Sequence, residues 1–95
     1  MDELRTLLGY AEKFRDTVRS SITLDEFRFY LFNLEEDAST LTDTAAGKRI
    51  ASAVACVRSC DYAFRNHPDT KDTVVLPQVE KLIAAIKSEI QALGN

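Results

Sequence analysis

The pattern Thr-x-x-Glu at Thr23 is the signature of a capping box, and it is the clearest local sign of a helix start in this chain. The Thr23 hydroxyl can accept the Glu26 amide hydrogen, and the Glu26 carboxylate can accept the Thr23 amide hydrogen. Ile22 and Phe27 occupy the positions of a hydrophobic staple around that cap. The pattern therefore predicts a helix that begins at Leu24.

This predicted helix carries apolar residues on two faces. Its main stripe repeats every three or four residues and consists of Phe27, Tyr30, Leu31, Leu34, Ala38 and Leu41. Phe29 and Phe32 point away from that stripe and are neighbours on the opposite face. The polar residues around them are Arg28, Asn33 and Glu36. Two interpretations stay open: the second face packs on another part of the same chain, or it binds a partner, since exposed aromatics with a polar rim often mark an interface.

Three further stretches show the same spacing of apolar residues. They run from about Asp2 to Ser20, from about Asp43 or Thr44 to Asn66, and from near Pro77 to about Leu93. The connection at 20–22 is very short, which favours an antiparallel hairpin of the first two helices. Residues 68–76 lack a clear pattern and are expected to form either a short helical turn or an irregular segment.

The turn-forming residues are few, because the chain has only 3 glycines and 2 prolines. A β-fold with many turns needs more of them. Four amphipathic helices with three connections predict an all-α fold, an antiparallel up-down-up-down four-helix bundle. Its 95 residues suffice for one domain with one core, so residues 1–95 are expected to form a single helical-bundle domain.

Small residues recur every four positions on the third predicted helix. They are Gly47, Ala51, Ala55, Ser59 and Ala63. One interpretation is size complementarity, since a thin helix beside the aromatic second helix keeps the packing density normal. The other is that alanine is simply a good helix former. The outer part of this stripe, at Ala51, Ala55 and Ser59, is a candidate extension of a partner surface.

The charge balance bears on the classes of partner. The net charge is −3, and the 12 basic residues are scattered among 15 acidic ones, whereas a nucleic-acid-binding protein usually has a basic patch. No apolar run approaches the roughly 18 residues of a membrane-spanning helix, and the start of the chain lacks the features of a signal peptide. We therefore expect no nucleic acid, no membrane and a cytoplasmic location, with free thiols at both cysteines.

The acidic residues Glu35, Glu36 and Asp37 lie in the second half of the second predicted helix, where the helix dipole disfavours them. Their simplest interpretation is a solvated acidic face. The functional alternative is an acidic rim for a basic partner. A divalent-metal site is not expected, because consecutive helical residues point in different directions.

Two charged residues fall within apolar stripes. Asp61 lies between Val57 and Phe64 on the third predicted helix, and Arg15 lies in the stripe of the first. A carboxylate at such a position needs a partner or a raised pKa. Our hypothesis is an Arg15–Asp61 ion pair at the edge of the core; the alternative is that both side chains reach solvent.

Cys56, Cys60 and His67 are the residues that could ligate a soft metal. A structural zinc site needs four ligands, usually in two closely spaced pairs, so no metal is predicted. Two buried structural thiols are expected instead. A redox role stays open, because Arg49 could lie near both sulfurs and lower a thiol pKa.

No phosphate-binding loop, nucleophile elbow or metalloprotease motif occurs, so catalysis has no support and no cofactor is predicted. The sequence favours a non-enzymatic interaction module that acts through Phe29 and Phe32, either as a homodimer or as the small partner in a complex. The alternative is a small-molecule binder or enzyme with an interhelical pocket near Asp61, Tyr62 and Cys60.

Overall fold

The computed structural model of the chain describes residues 2–41 and 44–94, with Asp2 described through its backbone alone. The helices are α1 (Asp2–Ser20), α2 (Leu24–Ser39), α3 (Ala45–Arg58), α4 (Asp61–Asn66) and α5 (Val75–Gly94), with a 3-10 helix at Pro68–Lys71. The four long helices form the predicted antiparallel up-down-up-down bundle, so the all-α fold class is confirmed. The described part of the chain contains no strand.

The long helices pack as a closed ring. α1 packs against α2 and α5, and α3 packs against the same two helices. The bundle is elongated, with extents of 40 × 21 × 18 Å. Each long helix thus contributes an inner face to the core and leaves an outer face to solvent. None of the described helices has the length and apolarity needed to cross a bilayer.

The start of α2 has the predicted capping box. The Thr23 amide donates to Glu26 Oε1 at 3.0 Å, and the Glu26 amide donates to Thr23 Oγ1 at 3.1 Å. Because both bonds form, the first turn of α2 has partners for amide groups that would otherwise lack them. The helix begins at Leu24 as predicted.

The third predicted helix is interrupted, which corrects the expectation of one helix to Asn66. α3 ends at Arg58, and a two-residue turn at Ser59 and Cys60 precedes α4. The Ser59 hydroxyl donates to the Cys56 carbonyl oxygen at 2.6 Å, and the Cys60 amide donates to the Val57 carbonyl oxygen at 3.0 Å. A serine hydroxyl that hydrogen-bonds to the backbone competes with the hydrogen bonds of the helix. The hydrogen bond from the Cys60 amide spans three residues instead of four, which tightens the last turn of α3.

Aromatic rings occupy the centre of the core. Phe27 of α2 is fully buried, and its ring centroid lies 5.8 Å from that of Phe14 and 5.5 Å from that of Phe64. The Phe14 ring also stacks on Tyr30, with centroids 5.1 Å apart. The Tyr30 hydroxyl lies 3.2 Å from Thr17 Oγ1, so the polar end of this ring has a partner.

Leu41, shortly after the end of α2, lies close to the first turn of α3. Gly47 is buried there, and its amide donates to the Oγ1 of the N-cap residue Thr44 at 2.9 Å. A Cβ atom at Gly47 would overlap the carbonyl group of Leu41 and would lie 2.9 Å from the Leu41 Cβ atom. At this position the small residue therefore permits a close backbone approach.

The rest of the small-residue stripe is only partly covered. Ala51 and Ala55 line a shallow depression between α2 and α3, together with Glu35 and Ala38, and its volume is about 190 Å³. Ser59 is exposed. The stripe thus lies along the seam between the two helices rather than wholly beneath α2.

Candidate functional site

Two aromatic side chains stand out on the outer face of α2. Phe29 is 65% exposed and Phe32 is 58% exposed. We call this pair the aromatic ridge. The core is closed by other residues, including Phe27 and Leu31 on the inner face of the same helix. No described part of the chain therefore covers this face of α2, and binding of a partner by Phe29 and Phe32 stays a prediction.

The predicted rim residues have different environments. Asn33 is partly buried, and its Nδ2 donates to the Phe29 carbonyl oxygen at 2.9 Å. Arg28 is engaged by Asp61, whereas Glu36 is exposed and forms no ion pair with any described residue. The rim therefore presents an uncompensated acid at its C-terminal side.

Arg28 and Asp61 form a bidentate ion pair that links α2 to α4. Arg28 Nε lies 3.0 Å from Asp61 Oδ1, and Arg28 Nη2 lies 3.2 Å from Oδ2. The hydrogen bonds from Arg28 hold the pKa of the Asp61 carboxyl below its ordinary value.

The predicted Arg15–Asp61 ion pair is wrong. Arg15 Nε instead contacts Asp16 Oδ1 at 3.1 Å, and Arg15 lines a depression against Glu80 and Lys87. Arg15 therefore faces α5, whereas Asp61 faces α2. The prediction assumed that α1 lies beside the helix of Asp61, whereas α1 packs against α2 and α5, and α4 contacts α2.

A second ion pair joins α2 to α3. Arg58 donates to both carboxylate oxygens of Glu35. These hydrogen bonds hold the pKa of the Glu35 carboxyl below its ordinary value. Since Arg28, Phe32 and Glu35 are spaced four and three residues apart on one face of α2, the ridge residue Phe32 lies between the two pairs.

Sequence reasoning missed the Glu35–Arg58 pair, although a signal for it exists. Arg28 precedes Glu35 on α2, and Arg58 precedes Asp61 on the following segment. In an antiparallel arrangement the later charge of one segment lies opposite the earlier charge of the other. The two charge patterns therefore match in reverse order, and this match indicates both pairs.

Each ridge residue borders a groove. The α1-side groove has a volume of about 480 Å³ and is lined by Tyr10, Lys13, Asp25, Glu26, Phe29 and Tyr30. The α3-side groove has a volume of about 450 Å³ and is lined by Arg28, Leu31, Phe32, Arg58 and Asp61. Both grooves are open to solvent along the surface and are not enclosed cavities. An open groove of this kind can receive the side chains of a protein partner.

The three residues of the alternative pocket do not converge. Asp61 lines the α3-side groove, Tyr62 is 71% exposed, and Cys60 is buried. The Arg65 guanidinium lies 5.6 Å from the centroid of the Tyr62 ring. The structure therefore shows no single cavity that these three side chains share.

The cysteines differ from the expectation of two buried thiols. Cys60 is buried, but Cys56 is exposed, which corrects that part of the prediction. Burial raises the pKa of the Cys60 thiol, which disfavours a thiolate. Arg49 pairs with Glu89, at 2.6 Å from Nη2 to Oε1, and is thus engaged away from the sulfurs. Within residues 2–41 and 44–94, no group of three or more potential ligands is placed to hold a metal ion.

The charge of the chain is concentrated on α2. This helix has five acidic residues and one arginine, a net of −4, whereas the whole chain carries −3. All other residues together therefore carry +1. The helix with the aromatic ridge holds the entire negative excess.

No protein-family model, no curated protein and no solved structure matches this chain. The candidate site is consequently defined by the geometry of the chain itself.

The Glu35–Arg58 pair makes a prediction about pH. A carboxyl with a lower pKa in the folded state adds stability above its unfolded-state pKa, and this stability is lost as the pH falls through the folded-state pKa. We expect Glu35→Gln to lower the free energy of unfolding by about 0.2–1 kcal/mol at pH 7. The difference from wild type should shrink as the pH falls below about 4.3, the ordinary value for glutamate.

Urea denaturation at a series of pH values, followed by circular dichroism, measures this difference. The matched control is Glu36→Gln on the same helix, which should raise the free energy of unfolding at pH 7 by no more than roughly a few tenths of a kcal/mol, because the helix dipole disfavours an acid there. A Glu35→Gln effect that stayed constant from pH 7 to pH 3 would show that it does not arise from the ion pair.

Proposed function

We propose that this chain is a non-enzymatic protein–protein interaction module that acts through the aromatic ridge. The supporting observation is that Phe29 and Phe32 are largely exposed above a core that closes without them. Exposed aromatics with a polar rim are typical of interface centres. The open grooves on both sides of the ridge offer room for a partner's side chains.

The magnitudes indicate how large the interface must be. Burial of a phenylalanine contributes about 1.5–3 kcal/mol, so the ridge contributes about 3–6 kcal/mol. Association costs an estimated ~4–15 kcal/mol. The ridge alone does not support a stable complex, and the partner must also contact the grooves and the rim.

The small-molecule alternative has weaker support. Asp61 faces an open groove, and its charge is already paired with Arg28. Cys60 points away from that groove into contact with the Val74 carbonyl oxygen, at 3.8 Å from its Sγ. The free cysteines are consistent with a reducing compartment, and we propose a cytoplasmic location on that ground.

Site-specific photocrosslinking tests the interaction role. A benzophenone-bearing amino acid replaces Phe32 in cells that express the protein, and the control replaces Lys81, which is exposed on α5. We expect a discrete covalent adduct, with a second copy or with another protein, from position 32 alone. Equal adducts from both positions, or none from position 32, would contradict the proposal.

The variant Phe29→Ser/Phe32→Ser completes the test. Because both side chains are exposed, its free energy of unfolding should stay within about 0.5 kcal/mol of wild type. Light scattering after size exclusion should show loss of any complex that wild type forms. If the variant unfolds instead, the two rings are part of the core and the proposed surface is wrong.

A further inference from the structure

We propose that the partner on the aromatic ridge is a basic amphipathic helix, with apolar residues on one face and a lysine or arginine at each end of that apolar patch. This inference rests on the proposed function and specifies the chemistry of the partner. It derives from where the unpaired charges of α2 lie relative to Phe29 and Phe32.

Acidic side chains lie at both ends of the ridge. Asp25 and Glu26 precede Phe29, and Glu36 and Asp37 follow Phe32. All four acids are exposed, and none forms an ion pair with a residue in the described ranges. The ridge is thus an apolar patch between two negative ends.

The other charges of α2 are compensated within the chain. Arg28 is held by Asp61, and Glu35 is held by Arg58. Lys13 lines the α1-side groove and is the one basic residue beside Phe29 there. An incoming partner therefore meets the unpaired carboxylates of Asp25 and Glu36 in line with the ridge, against this single lysine, and electrostatic complementarity favours a basic partner.

The same charges disfavour a second copy of the chain as the occupant. Two α2 helices in contact would place a net charge of −4 against −4, at an interaxial distance of about 8–10 Å. An antiparallel pair centred on Phe32 would bring Arg28 of one copy opposite Glu36 of the other. That compensation competes with the bidentate bond that Arg28 already makes to Asp61.

The spacing of the residues indicates a helix as the partner's form. Asp25, Phe29, Phe32 and Glu36 follow one another at intervals of four, three and four residues. This spacing places them in a single stripe along α2, as in the seam of a coiled coil. The stripe is about 16 Å long at about 1.5 Å per residue. A partner helix with the order basic, apolar, apolar, basic at the same intervals matches it over three turns.

The experiment uses a synthetic helical peptide of about 18 residues with Lys, Leu, Leu and Lys at those intervals, of which about 12 span the stripe. Fluorescence anisotropy measures its dissociation constant for the full chain at low and at physiological salt. One control peptide has both lysines replaced by glutamate. The second has the same composition but with the lysines moved to the opposite face of the helix.

Three forms of the protein separate charge from hydrophobic contact. Asp25→Asn/Glu36→Gln removes the acids of the stripe, and Asp69→Asn/Asp72→Asn removes two exposed acids of the α4–α5 connection as a matched control. We expect the first variant to raise the dissociation constant about tenfold at low salt and the second to change it less than about twofold. Phe29→Ser/Phe32→Ser should also weaken binding of the designed peptide, by about tenfold or more. Both control peptides should bind the wild-type chain more weakly than the designed peptide does.

The outcomes distinguish this inference from the proposed function. If Phe29→Ser/Phe32→Ser abolishes binding or crosslinking while Asp25→Asn/Glu36→Gln has no effect, the ridge is an interface but its partner is not selected by basic charge. If wild type is a dimer that Asp25→Asn/Glu36→Gln strengthens, the occupant is a second copy. Absence of binding by the designed peptide, or equal binding by the Phe29→Ser/Phe32→Ser variant, likewise overturns the inference.

Discussion

Gly47→Ala is expected to destabilise the bundle by about 3 kcal/mol, toward the upper part of the usual range for overpacking. The new Cβ atom would overlap the Leu41 carbonyl group, which is backbone and cannot rotate away as a side chain does. Relief of the overlap requires that the backbone at Leu41 move away from the first turn of α3. Urea denaturation followed by circular dichroism measures the loss.

Gly9→Ala is the matched control for this prediction. Gly9 lies in the interior of α1, and a Cβ atom there would meet nothing within 4 Å. Since glycine in a helix interior is less favourable than alanine by roughly 0.5–1 kcal/mol, this variant should be more stable than wild type by that amount. If both variants gained stability, the close approach at Gly47 would not exist in solution.

Phe27→Ala is expected to lower the free energy of unfolding by about 3–5 kcal/mol. Its ring is fully buried and contacts the rings of Phe14 and Phe64, so truncation loses transfer free energy and leaves a cavity. A domain of this size has a total stability of about 5–14 kcal/mol. The variant should therefore be close to unfolded at room temperature if the wild type lies at the lower end of that range.

Phe29→Ala, two residues further along α2, makes the same chemical change on the exposed face. We expect its free energy of unfolding to stay within about 0.5 kcal/mol of wild type. Thermal denaturation of the two variants side by side gives the comparison. Equal losses would mean that α2 is rotated relative to the bundle described above.

The helices were largely predictable because their signals are local. The Thr23 capping box and the stripe that contains Phe27 and Leu31 depend only on residues within a few turns of one another. They correctly predicted where α2 begins and which face is buried. The bundle followed from the number of such stripes and the short connection before Thr23.

The interruption at Ser59 and Cys60 was not predictable in the same way. Serine occurs inside many helices, and only the hydrogen bonds that it makes in this structure show that the helix ends here. The hypothesis of an Arg15–Asp61 pair extended the helical period through this turn and also assumed that α1 lies beside Asp61. Which arginine meets Asp61 depends on which helices are neighbours, and stripes alone do not determine that.

The spacing of apolar residues left two interpretations for Phe29 and Phe32, packing on the same chain or binding of a partner. It could not decide whether the two rings are buried or exposed. A second apolar face on a helix is buried or exposed according to whether another element covers it. In this bundle α1 and α3 pack against α2, and no described element covers its outer face. Whether Phe29 and Phe32 are exposed therefore depends on how the other helices pack and not on the sequence of α2.

The two ion pairs on either side of Phe32 have a consequence for the thermodynamics of association. They link α2 to α3 and α4 in addition to the buried inner face of α2, so we expect the surface that presents the ridge to keep one conformation when a partner binds. On binding of the partner helix that we propose, almost all of the conformational entropy that is lost is that of the partner. The changes in heat capacity and entropy when such a complex forms would then arise mainly from the folding of the partner, while the bundle keeps its conformation.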